Sequence, residues 1–275
     1  MTRPRAIGAV VVACLALTAA VVVAGQGGQH GRDPAGSAAA ATDPSGTPTP
    51  LPVPDPCSVE VAGVTVGMDV DEARTLTAAT ARLNGTRGAM RAMTRLATRT
   101  LAEPPEVAGP VAASLLGQVS DGPLTCSHLR EDVDPEEMGP RGLTPRAQRL
   151  RRAWTREFGA LPAGGFARGG VTSGHVDNSA HYEGRAIDVF FRPHDDARVR
   201  RDGWVFAQWL VAHADDYHVL SVIYADRIWT SWASVVGWRE YVHPSGNRRN
   251  PVLRHLDHVH VAVESGRPWR PYDGR

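Results

Sequence analysis

The feature that most constrains the fold of this chain is an uncharged apolar run over residues 6–24. Because of this run, we do not expect the N-terminus to be part of a folded domain. The run follows a basic flank with Arg3 and Arg5, and as a helix it is long enough to cross the core of a bilayer. Residues 1–25 are therefore predicted to be either a cleaved signal peptide or an uncleaved membrane anchor, and the length of the run favours the anchor. Both interpretations predict an exported protein, extracellular or associated with the cell wall.

The composition limits the kinds of molecule that the chain is expected to bind. The chain has 30 basic and 29 acidic side chains and a formal net charge of +1, so it lacks the basic excess of a nucleic-acid-binding protein. Residues 26–56 are rich in proline, alanine and glycine and cannot bury enough apolar surface to fold. We expect them to form a disordered linker that holds the folded part away from the membrane.

Two cysteines lie outside the apolar run, Cys57 and Cys126. Export to an oxidising compartment favours a disulfide between them, which would close a loop of about 70 residues and contribute about 4 kcal/mol in the chain-entropy model. We expect residues 57–127 to form a small helical module with this disulfide. Its helices are predicted over 69–83, from a cap at Thr86 onward, and over about 106–119.

Residues 128–143 are acidic and interrupted by prolines, which is typical of a second linker, and residues 144–275 are expected to form the C-terminal domain. Thr144 and Pro145 predict a helix that runs to about Phe158. Its arginines are interpreted as a solvated face, with attraction to an anionic wall polymer as the alternative. These arginines are Arg146, Arg149, Arg151, Arg152 and Arg156.

The rest of the C-terminal domain mixes strands and helices. Strands are predicted over 185–191, 219–224 and 257–263, and a helix over 203–217. This order predicts an α+β or α/β domain. We expect α+β, with a small mixed or antiparallel sheet and flanking helices.

Nine of the eleven histidines lie between His175 and His260, and their spacing favours a metal site. His181 precedes a turn, and Asp188 follows inside an apolar strand, where a carboxylate is costly unless it is paired or binds a cation. Pairing with Arg185, or capping of a neighbouring helix, is an equally good explanation of Asp188 taken alone.

The predicted last strand carries a second unit. His258 and His260 are two residues apart and therefore share one face of the strand, whereas Asp257 is expected on the other face. With His181 and Asp188, this unit supplies two imidazoles and one carboxylate, a set suited to tetrahedral zinc with one open position.

Five residues fit the spacing S-x-H-x-x-G-x-A-x-D: Ser179, His181, Gly184, Ala186 and Asp188. This pattern resembles the signature of D-alanyl-D-alanine carboxypeptidases and dipeptidases, in the superfamily that contains lysostaphin and the hedgehog signalling domain. The segment 258–260 is similar to the H-x-H signature on the lysostaphin side. The resemblance covers about residues 144–263 and is nearest to a secreted actinobacterial branch of wall-associated proteins.

The resemblance implies a hedgehog-like peptidase fold and one zinc ion per chain, held by His181, Asp188 and His260. It also implies His258 as the catalytic base, while Asp257 occupies the slot where the carboxypeptidases have a glutamate. We expect Asp257 to act as an alternative base, to orient an imidazole or to pair with an arginine.

One departure from the carboxypeptidase pattern bears on catalysis. Those enzymes place an arginine after a Ser-Gly-aromatic stretch, and residues 173–176 (Ser-Gly-His-Val) contain none. Arg168 and Arg185 are weak substitutes for this arginine. His175 is expected either at the surface or in the core with its hydrogen bonds satisfied.

These features predict an exported zinc-dependent peptidase that hydrolyses peptidoglycan stem or cross-bridge peptides by metal-activated water. The alternative is a non-catalytic, zinc-containing cell-wall-binding or regulatory domain. The predicted partners are a peptidoglycan peptide and, if the anchor is uncleaved, the membrane, with no nucleic acid. His255, Glu183 and Glu264 are expected to orient ligand histidines. Four aromatic residues are predicted either to line a substrate groove or to pack under a loop: Trp229, Trp232, Trp238 and Tyr241.

Overall fold

The computed structural model describes residues 56–118, 122–128 and 132–266. The predicted export segment and all of the predicted tether before residue 56 lie outside these stretches. Within them, no helix combines the length and the apolar character that are needed to cross a bilayer.

The first folded element is a three-stranded antiparallel sheet in the order β2-β1-β3. Its strands are β1 (Cys57–Val61), β2 (Val64–Met68) and β3 (Thr125–Cys126). Ala62 and Gly63 connect β1 to β2 with positive φ angles of 51° and 77°, which suits a two-residue hairpin turn. Cys57 lies opposite Cys126 and is bonded to it, so the predicted disulfide is confirmed. Sequence analysis missed this sheet, because it interpreted the whole of residues 57–127 as helical.

Three helices complete the predicted module: α1 (Val70–Leu83), α2 (Ala89–Thr100) and α3 (Pro105–Leu115). Asp69 caps α1 and exchanges hydrogen bonds with Glu72 in a capping box, which explains why the helix begins there. The predicted cap of α2 at Thr86 is wrong. Gly88 is the cap, and the Thr86 hydroxyl donates to the Leu83 carbonyl instead.

The C-terminal half forms a six-stranded sheet in the order β4-β5-β9-β6-β7-β8, in which every pairing is antiparallel. Its strands are β4 (Ala163–Gly164), β5 (Ala186–Phe190), β6 (Val219–Tyr224), β7 (Arg227–Thr230), β8 (Arg239–Glu240) and β9 (His258–Val263). The fold is therefore α+β. The last strand in sequence, β9, lies between β5 and β6 near the centre of the sheet.

Helices and a 3₁₀ segment flank this sheet: α4 (Pro145–Phe158), α5 (Ala197–Ala212), α6 (Ala214–Tyr217) and the 3₁₀ segment Ser231–Val236. Thr144 caps α4 as predicted. The predicted start of the next helix at residue 203 is six residues too late, because Asp196 accepts hydrogen bonds from the first turn of α5.

One continuous cluster of buried side chains spans the predicted module and the C-terminal half. Gln208 on α5 is buried at this junction, where it donates to the carbonyls of Ser114 and Leu115 and accepts from the Leu124 N–H. The predicted linker also packs on the domain in its described part, since the Glu136 carboxylate accepts from the backbone N–H at the start of α4. The module and the C-terminal half therefore share their core.

Candidate metal centre

Strand register places Asp188 and His260 side by side. β5 and β9 are antiparallel neighbours in which Asp188 pairs with His260. Side chains of directly opposed residues project from the same face of a sheet. Accordingly, His260 Nδ1 lies 3.0 Å from Asp188 Oδ1.

His181 reaches the same point from the turn that precedes β5. Its Nε2 lies 3.1 Å from His260 Nδ1 and 3.3 Å from Asp188 Oδ1. The structure thus brings together the three residues for which the resemblance implies a metal-binding role. Donor atoms around a tetrahedral zinc with bonds of about 2.0–2.1 Å lie about 3.3 Å apart, so the observed spacing fits that ion.

The proton positions also fit a cation. His181 Nδ1 lies 2.8 Å from the Gly165 carbonyl oxygen, which can only accept, so this nitrogen carries the proton and donates it. His181 Nε2 then presents a lone pair to Asp188 Oδ1 and His260 Nδ1. In neutral His260, Nδ1 carries at most one proton, whereas two acceptors, Asp188 Oδ1 and His181 Nε2, lie close to it. A metal ion at the centre would satisfy all three atoms.

Electrostatics keep these groups in the forms that bind metals. Burial alone would raise the pKa of Asp188, but the neighbouring imidazoles of His181 and His260 outweigh it and hold that pKa well below its usual range. Burial lowers the pKa of His260 despite the nearby carboxylate. A charged carboxylate and a neutral imidazole are the forms that ligate zinc.

His258 lies beside this cluster and is held by Asp257. His258 Nε2 is 3.8 Å from Asp188 Oδ1, while its Nδ1 is 2.8 Å from Asp257 Oδ1. Because a carboxylate can only accept, His258 donates from Nδ1 and directs a basic Nε2 toward the cluster. Asp257 Oδ2 accepts a hydrogen bond from Arg192 Nε at 2.8 Å and forms an ion pair with Arg192 Nη2 at 2.7 Å.

The expected position of Asp257 on the opposite face from His258 is wrong. β9 begins at His258, so the alternation of a strand does not extend back to Asp257, and its carboxylate contacts the imidazole of its neighbour. Two of the roles considered for Asp257, orienting an imidazole and pairing with an arginine, occur together.

His175 is a site residue that sequence analysis missed. Its ring stacks on His181 with centroids 3.9 Å apart, and Tyr182 hydrogen-bonds its backbone. His175, His181 and Asp188 each offer a ligand atom within 4.8 Å of the others, so they form an alternative ligand set. The available signal was position, since His175 immediately precedes the motif in the stretch where the carboxypeptidases place their arginine.

The three residues that were expected to orient ligand histidines have different partners in the structure. His255 is buried with its ring centroid 4.6 Å from that of His258, and burial and the neighbouring histidines lower its pKa to about 2. Glu183 pairs with Arg185, and Glu264 accepts from the Ser231 hydroxyl. For His181, the orienting group is the Gly165 carbonyl.

Of the two alternatives for the aromatic residues, packing describes Trp229 and Trp238. Trp229 and Trp238 donate to the backbone carbonyls of Cys126 and Leu124, and so pack against the disulfide module. Trp232 is exposed, and Tyr241 contacts the ring of His255 edge-on.

Comparison with known proteins gives a match to one family. Residues 139–252 match the family described as VldE, C-terminal domain. The match covers less than half of the chain and includes His181 and Asp188, but it ends before His258 and His260. Searches of curated proteins and of solved structures find no match.

Proposed function

We propose that this protein is an exported zinc-dependent peptidase that hydrolyses peptidoglycan stem or cross-bridge peptides. The observation that carries the proposal is the meeting of His181 Nε2, Asp188 Oδ1 and His260 Nδ1 within 3.0–3.3 Å of one another, next to the Nε2 of His258. The proposed substrate follows from the sequence resemblance to lysostaphin and the carboxypeptidases.

His181, Asp188 and His260 would hold the ion. Bound zinc would supply a Lewis acid that polarises the scissile carbonyl and makes a water molecule more acidic. His258 Nε2 takes a proton from the attacking water and passes it to the leaving amine. Asp257 accepts a hydrogen bond from the His258 Nδ1–H and stabilises the imidazolium that forms between these two transfers, and Arg192 fixes the Asp257 carboxylate.

Metal analysis of the full-length chain tests the ligand set. We expect about one zinc per chain, and we expect His181→Ala, Asp188→Ala and His260→Ala each to lose it. His243→Ala is a matched control, because His243 contacts Ser245 in an exposed turn and should leave the zinc content unchanged. Zinc that is lost in His175→Ala but kept in His260→Ala would show that the alternative set binds the metal.

Digestion of purified muropeptides, read by mass spectrometry, tests the activity. We expect His258→Gln to keep its zinc and to lose activity by about 10²–10⁴-fold, the usual contribution of a general base. A variant with unchanged activity would show that His258 is not the base.

A second candidate is a zinc-containing wall-binding or regulatory domain without catalytic activity. This candidate is favoured by the contacts of Arg185, the possible substitute for the arginine of the carboxypeptidases. The Arg185 guanidinium already donates to Glu183 and to the Val263 carbonyl. Wild-type protein that contains zinc and binds muropeptides but cleaves none would support this function over the peptidase.

A further inference from the structure

The arginines of α4 fall into two groups with different surroundings. Arg146 is buried and donates to the carbonyls of Glu264 and Asp134, and Arg149 pairs with Glu136 at 3.3 Å. These two side chains have structural partners inside the protein.

The second group has no such partners. Arg151, Arg152 and Arg156 are exposed and make no ion pair with any residue that the structure describes. The one acidic residue of α4, Glu157, pairs with Arg82 of α1. Like charges spaced as in Arg152 and Arg156 destabilise a helix, so this cluster is unfavourable unless an anion neutralises it.

These three arginines line one concave surface, which we name the α4 groove. It has a volume of about 440 Å³ and contains no carboxylate among its lining residues. Arg141 adds a fourth cation at its edge. The Arg151 guanidinium lies 5.0 Å from the centre of the Phe166 ring, a cation–π contact that holds this side chain in place.

Other arginine-rich parts of the described chain do not combine unpaired arginines with a concave surface that is free of carboxylates. A cavity of about 620 Å³ beside α5 contains Asp195 and Asp226, and Asp226 already pairs with Arg254. The arginines of α2 form an exposed row at four-residue spacing and line neither this cavity nor the α4 groove. This row consists of Arg91, Arg95 and Arg99.

We propose that the α4 groove binds a flexible linear polyanion that carries phosphate or carboxylate groups. Guanidinium groups recognise both anions through paired hydrogen bonds, and a row of them suits a repeating charge. Trp154 is buried, so the groove offers no aromatic platform for nucleotide bases. The inference concerns binding alone and does not depend on the proposed peptidase activity.

Fluorescence anisotropy with the full-length chain tests this site. The probes are labelled polyphosphate and labelled poly-glutamate of matched charge, which distinguish a phosphate from a carboxylate ligand, and an oligonucleotide with an equal number of phosphates. The test variant is the triple substitution Arg151→Gln, Arg152→Gln and Arg156→Gln. The control removes the same charge from α2 through Arg91→Gln, Arg95→Gln and Arg99→Gln.

We expect the α4 variant to bind polyphosphate, poly-glutamate or both about tenfold more weakly, with a shallower dependence on salt, and the α2 variant to bind like the wild type. The single substitution Arg152→Glu should also weaken binding, and it preserves the test if the triple variant is unstable. Equal losses in the α4 and α2 variants would overturn the site in favour of general charge attraction. Absence of binding to both polyanions, or tighter binding of the oligonucleotide, would also overturn it.

Discussion

Gly165 lies so close to the candidate metal centre that no side chain fits there. Its carbonyl orients His181, and its own φ of +76° is rare for residues with a side chain. A Cβ at this position would lie 2.4 Å from His181 Cε1 and 3.0 Å from Asp188 Oδ2. The residue therefore controls both the tautomer and the position of a proposed ligand.

We expect Gly165→Ala to lower zinc affinity by about 10–100-fold, the usual effect of disturbing the groups that orient a ligand. Competition with a chelator would measure it. Gly169→Ala is the matched control, because Gly169 has a φ of +81° but a Cβ there would meet no atom of the described residues within 4 Å, so it reproduces the backbone strain without the clash. Equal affinity in the two variants would contradict the role of Gly165.

At the scale of elements, the pairing of β5 with β9 aligns the site. The register that pairs Asp188 with His260 also pairs Phe190 with His258. The proposed ligand His260 and the proposed base His258 therefore lie two residues apart on β9. A slip of one residue between β5 and β9 would turn the side chains of one strand to the other face of the sheet. The helices α1 and α4 contribute packing instead, since both have side chains in the shared core.

The capping box of α1 gives a prediction at this scale. Asp69→Ala should lower the free energy of unfolding by about 1 kcal/mol, because it removes the acceptor for the Glu72 N–H. Zinc content should not change. Urea denaturation would measure the difference, with Asp71→Ala as a control that removes an exposed carboxylate of the same turn. An equally large effect of Asp71→Ala would show that charge rather than capping is responsible.

At the scale of the whole molecule, the disulfide module is part of the domain that carries the site. The cluster of buried residues is continuous through both, and Gln208, Trp229 and Trp238 bind backbone groups of the module. A change that stabilises the module is therefore expected to stabilise the candidate metal centre as well.

We expect the double substitution Cys57→Ser and Cys126→Ser to lower the free energy of unfolding by about 2–5 kcal/mol, since the unfolded chain regains the freedom that the disulfide removes. Because the core is shared, circular dichroism and zinc release should follow one transition that shifts as a whole. Two separate transitions would show that the module and the metal domain unfold independently.

An ion pair between α1 and α6 predicts a dependence on pH. Burial alone would raise the pKa of Asp216, but a hydrogen bond from His213 and the charge of Arg74 hold it below 3.8. Because the folded protein binds this proton less tightly than the unfolded chain, the pair stabilises the fold above pH 3.8, and the contribution is lost as the pH falls through the lower folded pKa.

Asp216→Asn should accordingly cost ~0.2–1 kcal/mol at pH 7, as expected for a partly exposed pair, and progressively less in acid. Denaturation at several pH values would show the difference from wild type shrinking. Asp177→Asn is the control, because Asp177 is exposed and makes no ion pair within the described residues. A difference for Asp216→Asn that does not shrink as the pH falls would contradict the assignment.

The sequence by itself determined the elements whose signals are local. Thr144 with Pro145 predicted the start of α4, the run of β-branched residues predicted β6 within its observed bounds, and the two cysteines outside the apolar N-terminal run predicted the disulfide. The metal site that the spacing of His181 and Asp188 favours stays a prediction. Each of these patterns depends on neighbouring residues or on a simple count, which the chain shows without folding.

Tertiary structure alone decided the contacts between residues far apart in the chain. Gly165 lies 16 residues before His181. His175 reaches the site by stacking, and Asp257 turns toward His258 because β9 begins one residue later. The two-residue strands β3, β4 and β8 exist only because longer strands pair with them. Such positions depend on how distant segments pack, and no local periodicity or spacing encodes that.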